Sequence, residues 1–75
     1  MDVFALFLPE IKELVAKKDF NGLKAFLKTI HSMDLAEGWR HLEPFEKIIV
    51  FKLLGVKKSI EVFENLKLIE QTYII

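Results

Sequence analysis

From residue 19 onward the apolar residues of this chain recur with a period of twelve. The lines read DFNGLKAFLKTI (19–30), HSMDLAEGWRHL (31–42), EPFEKIIVFKLL (43–54), GVKKSIEVFENL (55–66) and the incomplete KLIEQTYII (67–75). Their last position holds Ile30, Leu42, Leu54 and Leu66, and three places earlier stand Leu27, Trp39, Phe51, Phe63 and Ile75. The place before that reads Phe26, Gly38, Val50, Val62 and Ile74. Self-similarity at a fixed short period is the mark of stacked supersecondary units. Twelve residues are too few for a strand and a crossover helix, but they hold a helix of about eight or nine residues and a turn of about three. Spacing inside the lines agrees: Leu23, Phe26, Leu27 and Ile30 fall at i, i+3, i+4 and i+7, and Leu35, Trp39 and Leu42 follow the same face. The alternation expected of strands is absent.

Punctuation supports one short helix per line. Asp19 and Ser32 are placed to cap the helices that follow them, and Pro44 stands where a first-turn proline is tolerated. Gly55 fits the position just past a helix end. Upstream, Pro9 is expected to open the first regular helix, running to about Lys18 with Ile11, Leu14 and Val15 on its inner face, after an ambiguous lead-in at residues 2–8. Helices shorter than about 12–15 residues are marginal in water, so stability must come from stacking. Tight turns are expected to pack each helix on its sequence neighbours, as in a helical solenoid. The expectation is a single all-α domain over residues 1–75, stacked on a helix-turn repeat. The sequence ends in mid-line on Tyr73-Ile74-Ile75, which suggests a fragment of a longer chain.

Composition narrows the function. A chain this short buries only about 60% of the surface its unfolded form exposes, which favours a binding or scaffolding module over an enzyme. Eleven basic residues balance eleven acidic ones, so the basic footprint of a nucleic-acid partner is missing. Without cysteine there are no disulfides or thiolate metal sites, and the chain reads as intracellular. The longest apolar run, Val3 to Leu8, is far short of the roughly 20 residues that a membrane span needs. His31 and His41 have no paired-ligand motif beside them, and no glycine-rich phosphate loop or supported serine–histidine–acid set is present. His31 is expected to order its turn by hydrogen bonding, and Trp39, Phe51 and Phe63 to pack in the core.

Three motifs carry a resemblance. Leu27-Lys28-Thr29-Ile30-His31-Ser32-Met33-Asp34-Leu35-Ala36-Glu37 is similar to the L-x-x-x-H-P-x-D-L-A-E signature of the N-terminal domain of MgtE-type magnesium transporters. Ser59-Ile60-Glu61-Val62-Phe63-Glu64-Asn65-Leu66 resembles that family's A-A-E-V-L-E-x-L, and Lys18-Asp19-Phe20-Asn21-Gly22-Leu23 its x-G-D-x-x-A-L. The likeness covers roughly residues 10–70, the first part of that domain. The family's proline after the histidine is Ser32 here, Gly38 replaces a helix former, and Lys57 and Lys58 stand just before Glu61.

The resemblance implies a right-handed superhelix of short helices on the cytoplasmic side of the cell membrane, followed in the same chain by CBS domains and a transmembrane pore. It implies regulation of gating: Mg²⁺ bridges acidic surfaces of the N-terminal and CBS domains and keeps the pore closed, in a full-length homodimer. Mg²⁺ prefers hard oxygen ligands and keeps several waters, which suits carboxylates shared across a domain interface. The residues that carry over as ligands are Glu61, then Asp34 and Glu37. Asp34 with Glu37, and Glu61 with Glu64, stand at i, i+3; the competing reading is a solvated face, helped by pairs such as Glu13 with Lys17 and Glu43 with Lys47. A second class of function is a protein-interaction superhelix without ion sensing, similar to the helical middle domain of the flagellar motor switch protein FliG.

Overall fold

A computed structural model describes the backbone of residues 4–74 and the side chains of residues 5–72. The described chain is all helical: α1 (Phe4–Ala16), α2 (Phe20–Leu27), α3 (Ser32–Gly38) running into a 3₁₀ turn at Trp39–His41, α4 (Pro44–Leu53), α5 (Val56–Asn65) and α6 (Leu68–Ile74). Helices α2 to α6 begin at residues 20, 32, 44, 56 and 68. Residues 2 and 3 of the ambiguous lead-in, and the side chains of Ile74 and Ile75, lie outside the described residues.

The first helix departs from expectation at both ends. Pro9 lies inside α1 instead of opening it. A proline there forfeits one bond, to the Ala5 carbonyl a turn earlier. Burial of that earlier turn offsets the loss: Phe7 and Leu8 pack on the core, and Phe7 meets Phe26 edge-on with ring centroids 5.9 Å apart. The helix stops at Ala16 and not at Lys18, because Lys18 takes a left-handed conformation with φ of 58°. Two bonds close this end, Lys18 N–H to the Val15 carbonyl (3.0 Å) and Asp19 N–H to the Leu14 carbonyl (3.0 Å), the pattern of a Schellman motif.

Three of the four punctuation residues behave as their chemistry predicts. The Asp19 carboxylate accepts from Gly22 N–H at 3.0 Å, Pro44 is the first residue of α4, and Gly55 follows α4 with φ of 83°. Ser32 does not cap α3. His31 holds the cap position in an extended conformation without a side-chain cap bond, while its carbonyl accepts from Leu35 N–H at 3.0 Å. His31 therefore orders the turn through its backbone, and Ser32 is free to reach another helix.

Packing also corrects the expected pairing. Helix α3 lies most extensively against α5, α2 against both α1 and α4, and α1 also against α3 and α4. Helices α3 and α5, and likewise α2 and α4, thus pair as second neighbours along the chain. A short helix, a tight turn and another short helix bring the third element back beside the first.

The core consists of Ile11, Val15, Leu23, Leu27, Ile30, Leu35, Trp39, Leu42, Val50, Val62 and Leu66. Most repeat positions contribute, although Leu14, Phe26, Phe51, Phe63 and Leu54 are only partly buried. Aromatic residues of successive lines stand edge to face, Trp39 on Phe51 at 6.3 Å and Phe51 on Phe63 at 6.5 Å. One charged residue enters this interior: Glu46, 5% exposed, accepts from Lys12 Nζ (2.7 Å) and from Glu43 N–H (2.7 Å), tying α1 to the start of α4. That carboxylate oxygen thus serves a helix cap and an inter-helix ion pair together.

Two stability predictions follow from this packing. Leu42→Ala is expected to cost about 2–5 kcal/mol in a denaturant melt, and Leu54→Ala clearly less because that side chain is only partly buried; equal costs would contradict the packing described. Lys12→Met should cost about 2 kcal/mol by stranding the buried Glu46, and adding Glu46→Met should recover part of the loss. A double variant less stable than Lys12→Met would show that Glu46 is held mainly by its cap bond.

Candidate functional site

Helices α3 and α5 pack together, each burying a core residue (Leu35 and Val62), and their exposed flanks form an open cleft. His31, Ser32, Met33 and Asp34 line it from α3 and its cap, and Glu61, Glu64 and Asn65 from α5. Asp34 and Glu61, which come from two separate sequence motifs, therefore share one cleft. Glu37 does not join them. One turn further along α3, it lines a neighbouring groove with Met33, Ala36 and Arg40 on one side and Asn65, Leu66, Lys67, Ile69 and Glu70 on the other.

The cleft is acidic, lined by three carboxylates and by no lysine or arginine. Ser32 Oγ donates to Glu61 Oε1 at 3.0 Å, fixing one oxygen of that carboxylate across the cleft. Asn65 Nδ2 donates to the Glu61 carbonyl at 2.8 Å, which firms the last turn of α5. Asp34 is half-buried in the first turn of α3, where the exposed N–H groups of a helix favour a negative charge. Among the described residues no three or more histidine, cysteine, aspartate or glutamate side chains converge closely enough to hold a metal ion. The cleft is an acidic surface, open toward solvent.

A regularity in the repeat clarifies why Asp34 stands apart. The fourth position of each line reads Gly22, Asp34, Glu46, Lys58 and Glu70, and all five are buried or half-buried. Three of the polar ones have partners. Glu46 pairs with Lys12, Lys58 Nζ donates to the Leu27 carbonyl at 2.7 Å, and Glu70 pairs with Lys47 at 3.0 Å. Burial against the end of α2 pushes the Lys58 ammonium below the usual lysine range, and the nearby Glu61 carboxylate offsets part of that shift. Asp34 makes no side-chain hydrogen bond or ion pair to another described residue. Polar residues recurring at one repeat position were a legible signal for this inward column.

Other residues take structural roles. Glu13 and Lys17 form an exposed pair at 2.8 Å, which lowers the carboxyl and raises the ammonium from their ordinary values through their mutual hydrogen bond and charge. Trp39 is fully buried, and its indole N–H has no hydrogen-bond partner among the described residues. No pattern in the sequence marks that orphan donor, since its surroundings are set by the stacking of several helices. The groove residues Arg40, Lys67 and Ile69 also escape a linear reading because they lie on different elements.

Among the described residues no helix is long and apolar enough to cross a membrane. Compared with known proteins, the chain matches no family model, no curated protein and no solved structure.

Because the Ser32–Glu61 bond is exposed, Ser32→Ala and Glu61→Gln should each change unfolding free energy by less than about 0.5 kcal/mol. A loss above about 1.5 kcal/mol in either denaturant melt would make the bond a structural tie between α3 and α5.

Proposed function

We propose that this chain is the cytosolic regulatory domain of a magnesium transporter, a right-handed superhelix on a twelve-residue helix-turn repeat that takes part in Mg²⁺-dependent gating. The supporting observation is the cleft between α3 and α5, which Asp34 and Glu61 line together while Asp34 makes no side-chain bond to another described residue. Mg²⁺ dehydrates reluctantly and is often held through one or two carboxylates plus water, so an open half-site of this kind suits an ion completed by a neighbouring domain. CBS domains of the same chain are the proposed neighbour, with the assembled transporter a homodimer and this domain on the cytoplasmic side of the membrane. Glu61 and Asp34 are the proposed ligands, and Glu37 acts at a separate point of the same interface because it lines the adjacent groove. Binding of the ion biases a two-state domain arrangement, and the helical stack provides a rigid arm for it.

A second reading is a protein-interaction superhelix without ion sensing, like the FliG middle domain. The groove beside the cleft favours it, since Met33 and Ile69 line that groove at 63% and 79% exposure.

An NMR titration with Mg²⁺, compared with Ca²⁺, separates the two. The regulatory reading expects saturable shifts at millimolar Mg²⁺ confined to amides around Asp34 and Glu61, abolished in Asp34→Asn and Glu61→Gln. A flat response, or shifts spread evenly over the surface, would remove this cleft as an ion site and favour the interaction module.

A further inference from the structure

The acidic cleft and the neighbouring groove are one continuous face, because Met33 and Asn65 line both. Its charge is arranged lengthwise along α3. At the N-terminal end stand Asp34, Glu61 and Glu64. At the other end stand Arg40 and Lys67, which make no ion pair with described residues, together with Glu37; Glu70 there is already neutralised by Lys47. The face therefore runs from net negative to net positive, with the exposed side chain of Met33 between the two ends and that of Ile69 beside the positive end.

We infer that this face is a docking surface for a second copy of the same chain. In a two-fold contact residue i of one copy meets residue j of the other while j meets i, so a surface with opposite charge at its two ends is complementary to itself. Turned head to tail, the Asp34–Glu61–Glu64 end of each copy lies over Arg40 and Lys67 of the other, and the two Met33 side chains meet near the axis. A partner of uniform charge would be repelled at one end of this face, whereas a second copy is attracted at both. The contact is small, salt-sensitive and transient. It does not rest on the ion reading, although a divalent cation bound at Asp34 and Glu61 would compete with the second copy for the same carboxylates.

Sedimentation analysis of the full chain tests this, from about 10 µM to about 1 mM at low salt, the range in which weak contacts are populated. Two charge-reversed variants are compared: Arg40→Glu with Lys67→Glu, and Glu61→Lys with Glu64→Lys. The wild-type chain should self-associate, and each variant alone should associate at least about tenfold more weakly because both of its end contacts become repulsive. An equimolar mixture of the two should form a heterodimer, since mixing restores opposite charges at both ends; circular dichroism verifies that each variant keeps its helices. A wild-type chain that stays monomeric at every concentration would overturn the inference. So would variants that associate as well as wild type, or a mixture that fails to restore pairing.

Discussion

Helices of seven to ten residues from α2 onward carry a nucleation cost that their own hydrogen bonds do not repay in water, so each exists only while another helix covers its apolar face. Everything else in the architecture depends on that mutual burial. The second-neighbour pairing of α3 with α5 and α2 with α4 is how so short a chain satisfies it, and the edge-to-face row of Trp39, Phe51 and Phe63 runs through successive units of the stack. The buried Leu35 and Val62 belong to the helices whose outer flanks form the acidic cleft, so the core sets which residues line it.

The inward polar column refines this picture. Burying a charge is costly unless it is paired and hydrogen-bonded, and Glu46, Lys58 and Glu70 each meet that condition through a partner on another helix. These bonds join α1 to α4, α5 to the end of α2, and α6 to α4. They complement the apolar contacts by specifying which helix ends lie together. Asp34 occupies the same position in its line, lacks such a partner among the described residues, and lines the cleft.

The α3 face links the two functional ideas physically. The carboxylates proposed to hold a hydrated Mg²⁺ are also those proposed to meet guanidinium and ammonium groups of a second copy, and both proposals rest on an acidic end that has no lysine or arginine lining it. If both proposals hold, a cation and a protein surface would compete for one set of oxygens, coupling metal concentration to association by mass action. The low net charge of the chain conceals this, because the balance of eleven against eleven says nothing about where the charges lie.

The extent to which linear reading succeeded follows the range of the forces involved. The helical class, the onset of the helices near Phe20, Pro44 and Val56, the Asp19 cap, the Gly55 turn and most of the buried residues are matters of local propensity and periodicity, and they were legible along the chain. Pro9 inside α1, the left-handed Lys18 and the backbone role of His31 were not, since each local preference was outweighed by burial or by a bond made elsewhere. Asp34 and Glu61 were identifiable as candidates, but only the stacking of α3 on α5 puts them in one cleft, and only the turn of α3 directs Glu37 into another. Spacing within a helix follows from backbone geometry, whereas the pairing of distant faces follows from how tight turns bring α4 back on α2 and α5 back on α3, and that is a property of the assembled helices.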